Sequence, residues 1–216
     1  HGLSANCCTG GDVAVSGDCA PGEERIDSAC DGVTGDLVGH YRLDGDGRDA
    51  SGHFAHGSVF GAEPVADRFG VSGKAMAFCE SGDRVEVLDS HHPLGEVTTT
   101  YTFWVRPRDG ATSEQAVLSA GRLLPDRRSS ATLIGSEACV AYAGQGNDAA
   151  TSGLCAAPEH WSFVAITKAA RNVRFYVNAQ LVGTATTDAG QAVTSTLLQL
   201  GLAGVDLDGA VHDQLC

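Results

Sequence analysis

The chain has 216 residues, of which 43% are hydrophobic and 19% are charged, so it can bury a core and lacks the composition of a disordered segment. Its formal net charge is −13, with 27 acidic residues against 14 Lys and Arg, and this charge disfavours binding to the phosphate backbone of nucleic acids. The longest apolar runs, such as residues 194–202, fall far short of the roughly 20 residues that span a bilayer. We therefore expect a folded protein that neither reads nucleic acid nor inserts into a membrane.

The first 34 residues form the first of two regions that we expect in the chain. They contain four of the eight cysteines and almost no periodic apolar pattern, which predicts an irregular, disulfide-rich N-terminal extension. Residue 1 is His rather than Met, and no charged-then-apolar leader follows it. We expect a mature product after signal cleavage, or a trimmed chain.

The eight cysteines form an even set in a glycine-rich, acidic chain, which favours disulfide bonds and a secreted, extracellular or cell-surface location. Local spacing favours a disulfide between Cys139 and Cys155, which would close a loop rich in Gly, Asn and Asp and stabilise the protein by about 3 kcal/mol. No pair of CxxC motifs is present, so a zinc ribbon is not expected. The pairing of the remaining cysteines stays open, and these are Cys7, Cys8, Cys19, Cys30, Cys79 and Cys216.

From residue 35 onward, short runs of alternating apolar and polar residues recur between turn signals. They lie at residues 37–43, 83–87, 101–105, 161–166 and 173–177. A period of two is typical of β-strands, and no segment carries the sustained repeat of an amphipathic helix. Asn178-Ala179-Gln180 predicts a hairpin after the last of these runs, because Asn tolerates a left-handed turn conformation. Residues 35–216 are therefore predicted to form an all-β, antiparallel two-sheet sandwich with little helix.

The order of the segments carries a family resemblance. The Asp- and Gly-rich run 37–52 is followed by residues 75–78 and 85–87, and then by residues 103–107, 160–165, 173–178 and 208–213. In this order they resemble the laminin-G-like jelly-roll domains of the concanavalin A-like superfamily, over about residues 35–216. The resemblance implies a jelly roll in which residues 208–213 form the closing strand, and it implies that Trp104 and Trp161 occupy core positions.

An acidic loop at residues 44–52 is a candidate calcium site. Its carboxylates alternate with glycines, which let the backbone bend so that several oxygens converge, and calcium takes six to eight oxygen ligands. In the resembling family a calcium ion is often held near this loop together with an acid from the closing strand. The resemblance thus implies a calcium site made by Asp44, Asp46, Asp49 and Asp213, with a turn shaped only by Asp and Gly as the alternative.

The sequence disfavours an enzyme. It contains no Glu-x-Asp-x-Glu strand of the kind that supplies paired carboxylates in glycoside hydrolases of this superfold, and no Gly-x-Ser-x-Gly elbow. His1 could bind copper through its amine and ring nitrogen, as in lytic polysaccharide monooxygenases, but nothing else in the chain resembles those enzymes. A second copper ligand would have to come from His40, His53, His56, His91, His92 or His160. Adjacent residues on a strand point to opposite faces, so the pair His91-His92 favours a surface turn over a metal site.

These features predict a secreted, non-catalytic adhesion or binding module that recognises a glycan or an extracellular protein, with calcium as its stabilising ion. The first alternative is a structural subunit of an extracellular filament or surface assembly. Cys7 and Cys8 are adjacent and cannot readily bond to each other, so one of them could reach another chain through the extension. The second alternative is a copper enzyme that uses His1.

Overall fold

A computed structural model describes residues 37–80, 82–88, 90–91, 98–108, 115–120, 129–134, 139–143, 148–150, 155–186 and 197–201. Within these residues the regular structure is entirely β-strand, which confirms the all-β prediction. The N-terminal extension and the closing strand expected at 208–213 lie outside the described residues. The strands are β1 (Ser58–Phe60), β2 (Glu63–Val65), β3 (Ala75–Ala77), β4 (Arg84–Val87), β5 (Thr99–Val105), β6 (Gln115–Ala120), β7 (Ser129–Ile134), β8 (Cys139–Ala143), β9 (Asp148–Ala150), β10 (Ser162–Ala169), β11 (Asn172–Val177), β12 (Gln180–Thr186) and β13 (Leu198–Leu200).

The strands form two main antiparallel sheets and one short pair. The larger sheet has the order β1-β4-β13-β6-β7-β8-β9, the smaller has the order β12-β11-β10-β5, and β2 pairs with β3. Ile166 and Phe175 of the four-stranded sheet share a core with Val140 and Tyr142 of the seven-stranded sheet. This is the architecture of a jelly-roll sandwich, as the sequence predicted.

In the four-stranded sheet, the alternation of apolar and polar residues in the sequence corresponds to an alternation of buried and less buried side chains. On β10, Val164 and Ile166 are fully buried, while the alternate residues Phe163 and Ala165 point away from the core. The same alternation buries Val173, Phe175 and Val177 on β11. On β5, the buried residues are Tyr101 and Val105. One face of this sheet therefore makes the core, and the other face is directed outward.

A second part of the core lies over β4 and β13 of the seven-stranded sheet. Val85 and Val87 pack there with Leu198 and Leu200, and residues before β4 cover them, including Ala55 and Phe78. The backbone of the preceding loop passes directly over this surface. A Cβ atom placed on Gly57 would meet Val85 Cγ1 at 2.5 Å and Val87 Cγ2 at 3.0 Å, so glycine is required by this close approach.

The hairpin predicted at residues 178–180 is confirmed. Asn178 and Ala179 have φ angles of 48° and 66°, which is the left-handed pair of a tight turn between β11 and β12. Asn178 also connects the turn to the neighbouring strand β10 through two hydrogen bonds. Its Oδ1 accepts a hydrogen bond from Phe163 N at 3.0 Å, and its own backbone N donates to Phe163 O at 2.8 Å.

The strand predicted at residues 37–43 is wrong. This segment has no strand pairing beyond one isolated bridge between Tyr41 and Asp49, and Leu43 has a φ of 56°, which breaks an extended run. Tyr41 and Leu43 still pack against the second part of the core. The alternation in this segment reports burial of every second side chain, which an irregular chain lying on a sheet can also achieve.

We predict that Gly57→Ala destabilises the protein by about 1 to 3 kcal/mol, because the added methyl group overpacks the surface of Val85 and Val87. Chemical denaturation measures the change in unfolding free energy. The substitution Val85→Ala removes one of the two contacted methyl groups, so the double variant should be less destabilised than the sum of the single variants. Simple additivity would contradict the proposed contact.

Candidate functional site

The acidic loop predicted to bind calcium is organised by Asp49. The Asp49 side chain is buried, with 6% of the residue exposed, and both carboxylate oxygens accept hydrogen bonds. Oδ1 accepts from His40 N at 2.9 Å and from Ser51 N at 2.8 Å. Oδ2 accepts from Ser51 Oγ at 2.7 Å and from Ala55 N at 3.2 Å. The carboxylate thus holds three parts of the loop together.

The ionisation of Asp49 follows from this environment. Burial by itself raises the pKa of a carboxyl group, but the hydrogen bonds from His40, Ser51 and Ala55 outweigh it and leave the pKa of Asp49 below its usual value. Burial, together with the nearby Asp49 charge, raises the pKa of Tyr41 to about 12. The Tyr41 hydroxyl therefore stays protonated and donates to Ala55 O at 2.9 Å.

The other predicted calcium ligands have different surroundings. Asp44 contacts Lys74 Nζ at 3.3 Å, and Asp46 contacts Arg48 Nε at 3.4 Å and accepts from Arg48 N at 3.0 Å. Asp213 lies outside the described residues. Among the residues that the structure does describe, no three His, Cys, Asp or Glu side chains come together as a metal site. The calcium site stays a prediction that depends on Asp213.

Only some of the cysteines that are predicted to form disulfides lie among the described residues. Cys79 and Cys155 are each disulfide-bonded. The pairing of Cys155 with Cys139 stays a prediction, although Cys139 begins β8. The predictions for Cys7, Cys8, Cys19, Cys30 and Cys216, and for copper at His1, concern positions outside the described residues.

The described histidines of the loops make structural or surface contacts and do not belong to a metal cluster among the described residues. His91 is exposed, and its ring stacks on that of His53 with centroids 4.5 Å apart. His56 has a structural contact, because its Nδ1 accepts a hydrogen bond from Asp49 N at 3.1 Å. His92 lies outside the described residues.

The expectation that Trp104 is a core residue is wrong. Trp104 lies on β5, an edge strand of the four-stranded sheet, and is 45% exposed. The sequence contained the signal for this: in the run Tyr101-Thr102-Phe103-Trp104-Val105, the period of two puts Trp104 on the side of Thr102 and opposite Val105. Trp161, the other tryptophan expected in the core, is half-buried.

Trp104 is part of a larger aromatic surface. Phe163 is its direct partner on β10, and their ring centroids are 5.4 Å apart. Cross-strand partners share a face, so the pairing of Ala165 with Tyr176 and of Tyr176 with Leu181 extends this surface across the sheet. Leu181 is 56% exposed.

A loop between β2 and β3 adds a cation to this surface. The Arg68 guanidinium carbon lies 4.5 Å from the centroid of the Trp104 ring and 4.3 Å from that of Phe69. Asp67 holds the loop in place, because its Oδ1 accepts hydrogen bonds from Phe69 N at 2.9 Å and from Val71 N at 2.8 Å. We call the surface made by Arg68, Phe69, Trp104, Phe163, Tyr176 and Leu181 the aromatic face.

The chain belongs to the concanavalin A-like lectin/glucanases superfamily, since a laminin G family model of that superfamily matches residues 80–213. This match confirms the family resemblance seen in the sequence. A sequence comparison with curated proteins gives no match. The described residues include no helix with the length and hydrophobicity of a membrane span.

Solved structures share the fold at low sequence identity. The binding domain of Paraclostridial Mosquitocidal Protein 1 has a TM-score of 0.61 and 15% identity, over 85% of this chain and 48% of that one. Domain 4 of AbnA, a GH43 extracellular arabinanase from Geobacillus stearothermophilus in complex with arabinotriose, has a TM-score of 0.59 and 14% identity, over 82% and 88%. The binding domain of botulinum neurotoxin DC in complex with rat synaptotagmin II has a TM-score of 0.53 and 14% identity, over 76% and 43%. This chain spans about half the length of the toxin structures or less, and these likenesses establish the fold.

We predict that Asp49→Asn lowers the unfolding free energy by about 2 kcal/mol, because an amide nitrogen cannot accept the hydrogen bond from Ala55 N. A carboxyl group with a lowered pKa in the folded state stabilises above its unfolded pKa, and this contribution disappears as the pH falls through the folded value. The difference from wild type should therefore shrink in acid. Denaturation at a series of pH values measures it.

Asp46→Asn is the matched control for this prediction. Asp46 is half-exposed and paired with the highly exposed Arg48, so with chelator present its substitution should change the unfolding free energy by about 0.5 kcal/mol or less. Equal effects of the two substitutions would contradict a special structural role for Asp49. Repeating both measurements with calcium and with chelator separates a lost hydrogen bond from a lost ion.

Proposed function

We propose that the chain is a non-catalytic binding module of a secreted or cell-surface protein and that it recognises a glycan or an extracellular protein. The observation that carries this proposal is the exposure of Trp104 beside Phe163 and Arg68. Large aromatic side chains are costly to leave in water, and clusters of them on a surface are typical of binding sites. Four members of the aromatic face, Trp104, Phe163, Tyr176 and Leu181, lie on strands of one sheet, which holds their backbone positions in register.

The acids of the described residues support a non-catalytic module. Asp83 is buried, and its Oδ2 accepts hydrogen bonds from Cys79 N at 3.0 Å and Glu80 N at 2.8 Å. Glu86 Oε2 accepts hydrogen bonds from Arg84 Nε at 3.1 Å and from Gln199 Nε2 at 3.3 Å. These carboxylates hold backbone or side chains in place, as Asp49 does, instead of facing one another across a cleft as a catalytic pair would.

The fold relatives support the same class of function. Two of the structures described above are binding domains of toxins, one of them in complex with a protein, and the third is an arabinanase domain in complex with a trisaccharide. An extracellular location is supported by the disulfide bonds at Cys79 and Cys155, because disulfides persist in oxidising compartments.

Replacement of Trp104 by Ala should weaken binding to the ligand about tenfold or more while the protein stays folded, because the side chain is a half-exposed part of the face. A glycan array and a panel of extracellular proteins, followed by titration calorimetry on the hits, measure the effect. The control is Phe54→Ala. Phe54 is 77% exposed and follows the acidic loop, so this variant removes an exposed aromatic ring outside the aromatic face. Equal losses in the two variants would contradict the assignment of the site.

We also propose that calcium stabilises the module, on the acidic loop and Asp213 as the sequence predicts. Calcium that binds only the folded state raises its stability, so a chelator should lower the melting temperature of the wild type. The variant Asp213→Asn should bind calcium more weakly and respond less to the chelator. Elemental analysis of dialysed protein together with thermal denaturation tests this. A melting temperature of the wild type that is indifferent to chelator would overturn the calcium proposal and leave the binding function untouched.

A further inference from the structure

We propose that the ligand of the aromatic face is an anionic oligosaccharide, bound by the aromatic rings together with Arg68 and Arg174. This inference rests on the proposed function, because it names the ligand class of the same site. It draws on three observations: the distribution of charge, the position of Arg174, and the chemistry of the side chains around Trp104 and Arg174.

Charge is unevenly distributed over the chain. One residue in eight of the whole sequence is Asp or Glu, yet the four strands β5, β10, β11 and β12 contain none. The charged residues on these strands are Lys168 and Arg174, and Arg106 and Arg108 directly follow β5. A protein of net charge −13 thus has one sheet whose strands carry only positive charges, and such a surface attracts anions.

Arg174 lies on the same outward side of the sheet as Trp104. It pairs with Thr167 on β10, and Thr167 is four residues from Phe163, the partner of Trp104. Arg174 is exposed and has no ion pair among the described residues. Normal sheet spacings place it about 13 Å along the strands and about 10 Å across them from Trp104. This separation suits an extended chain of sugars better than a single one.

Arg68 marks the other end of the surface. Its guanidinium group lies against the rings of Phe69 and Trp104. Contact with two rings restricts the side chain and keeps its positive charge at the edge of the tryptophan, where a carboxylate or sulfate group of a stacked sugar would be neutralised. A planar guanidinium can make two parallel hydrogen bonds to such a group.

Threonine hydroxyls line the outward side of the sheet around Trp104 and Arg174. Thr100 and Thr102 are outward on β5, Thr167 on β10 and Thr184 on β12. Hydroxyls both donate and accept, as the hydroxyls of a sugar do. An acidic peptide is less suited to this site, because peptides are recognised by sheet edges or by grooves for side chains, whereas these rings and hydroxyls lie on the face of the sheet.

Calorimetry with three oligosaccharides of the same length tests this inference: one neutral, one carboxylated and one sulfated, with an acidic peptide as a fourth probe. The wild type should bind at least one of the anionic sugars and bind the neutral sugar about tenfold more weakly or worse. Arg174→Gln and Arg68→Gln should each reduce the affinity for the anionic sugar about five- to tenfold. Arg174→Lys should retain most of it, and a rise from about 0.05 M to 0.5 M salt should weaken binding.

Arg48→Gln is the matched control, because Arg48 is highly exposed on the acidic loop, outside the aromatic face. It should bind like the wild type, and a loss equal to that of Arg174→Gln would overturn the inference. Equal affinity for the neutral and anionic sugars, lost in Trp104→Ala, would overturn the anionic ligand and leave the proposed function standing. Binding of the acidic peptide alone would replace the glycan by a protein ligand. Binding that is indifferent to Trp104→Ala would overturn the site and the inference together.

Discussion

The burial of one face of the four-stranded sheet is the constraint on which the rest of the molecule depends. Val164, Ile166 and Phe175 are fully buried against the seven-stranded sheet, and this fixes the register of every strand that pairs with them. Because side chains alternate, a slip of one residue would exchange the two faces of a strand. The same burial therefore decides that Trp104 and Phe163 point outward.

The acidic loop solves a related problem through the Asp49 carboxylate. An irregular chain that lies on the core leaves backbone N–H groups without a ladder to join, and such groups must find acceptors when buried. Asp49 supplies them with a single ionised side chain, and Gly47 and Gly57 let the backbone approach Val85 closely. Asp and Gly residues can therefore set the conformation of a loop, and the hydrogen bonds of Asp49 illustrate how the dipoles of N–H and O–H groups stabilise a buried carboxylate.

The fold alone does not explain function, since the superfamily of this chain takes its name from both lectins and glucanases. The functional interpretation therefore depends on the surface that the four-stranded sheet carries. An aromatic cluster with a stacked arginine lies on the sheet whose strands carry no acids, in a strongly acidic chain. In the proposed function, local charge and exposed rings, which are properties of a site, determine the class of ligand.

Much of the fold was predictable because it depends on local patterns. The alternation at residues 101–105, 161–166 and 173–177 matched strands, and Asn178 marked a turn, since each signal is written in consecutive residues. The false strand at residues 37–43 has the same alternation, and the sequence cannot show that no neighbouring strand lies beside it. Trp104 is exposed, although the family resemblance implies a core position, because its place in the alternation puts it on the side of the sheet opposite Val105.

The sequence by itself therefore determined the all-β class, the family and the tight turn at Asn178, because these follow from periodicity and from the conformational preferences of single residues. Only the tertiary structure decided which side of the sheet meets the core, which partners each acid receives, and that Arg68 reaches Trp104 from a distant loop. Those contacts join residues far apart in the chain. Their geometry depends on strand pairing and packing, which no local pattern specifies.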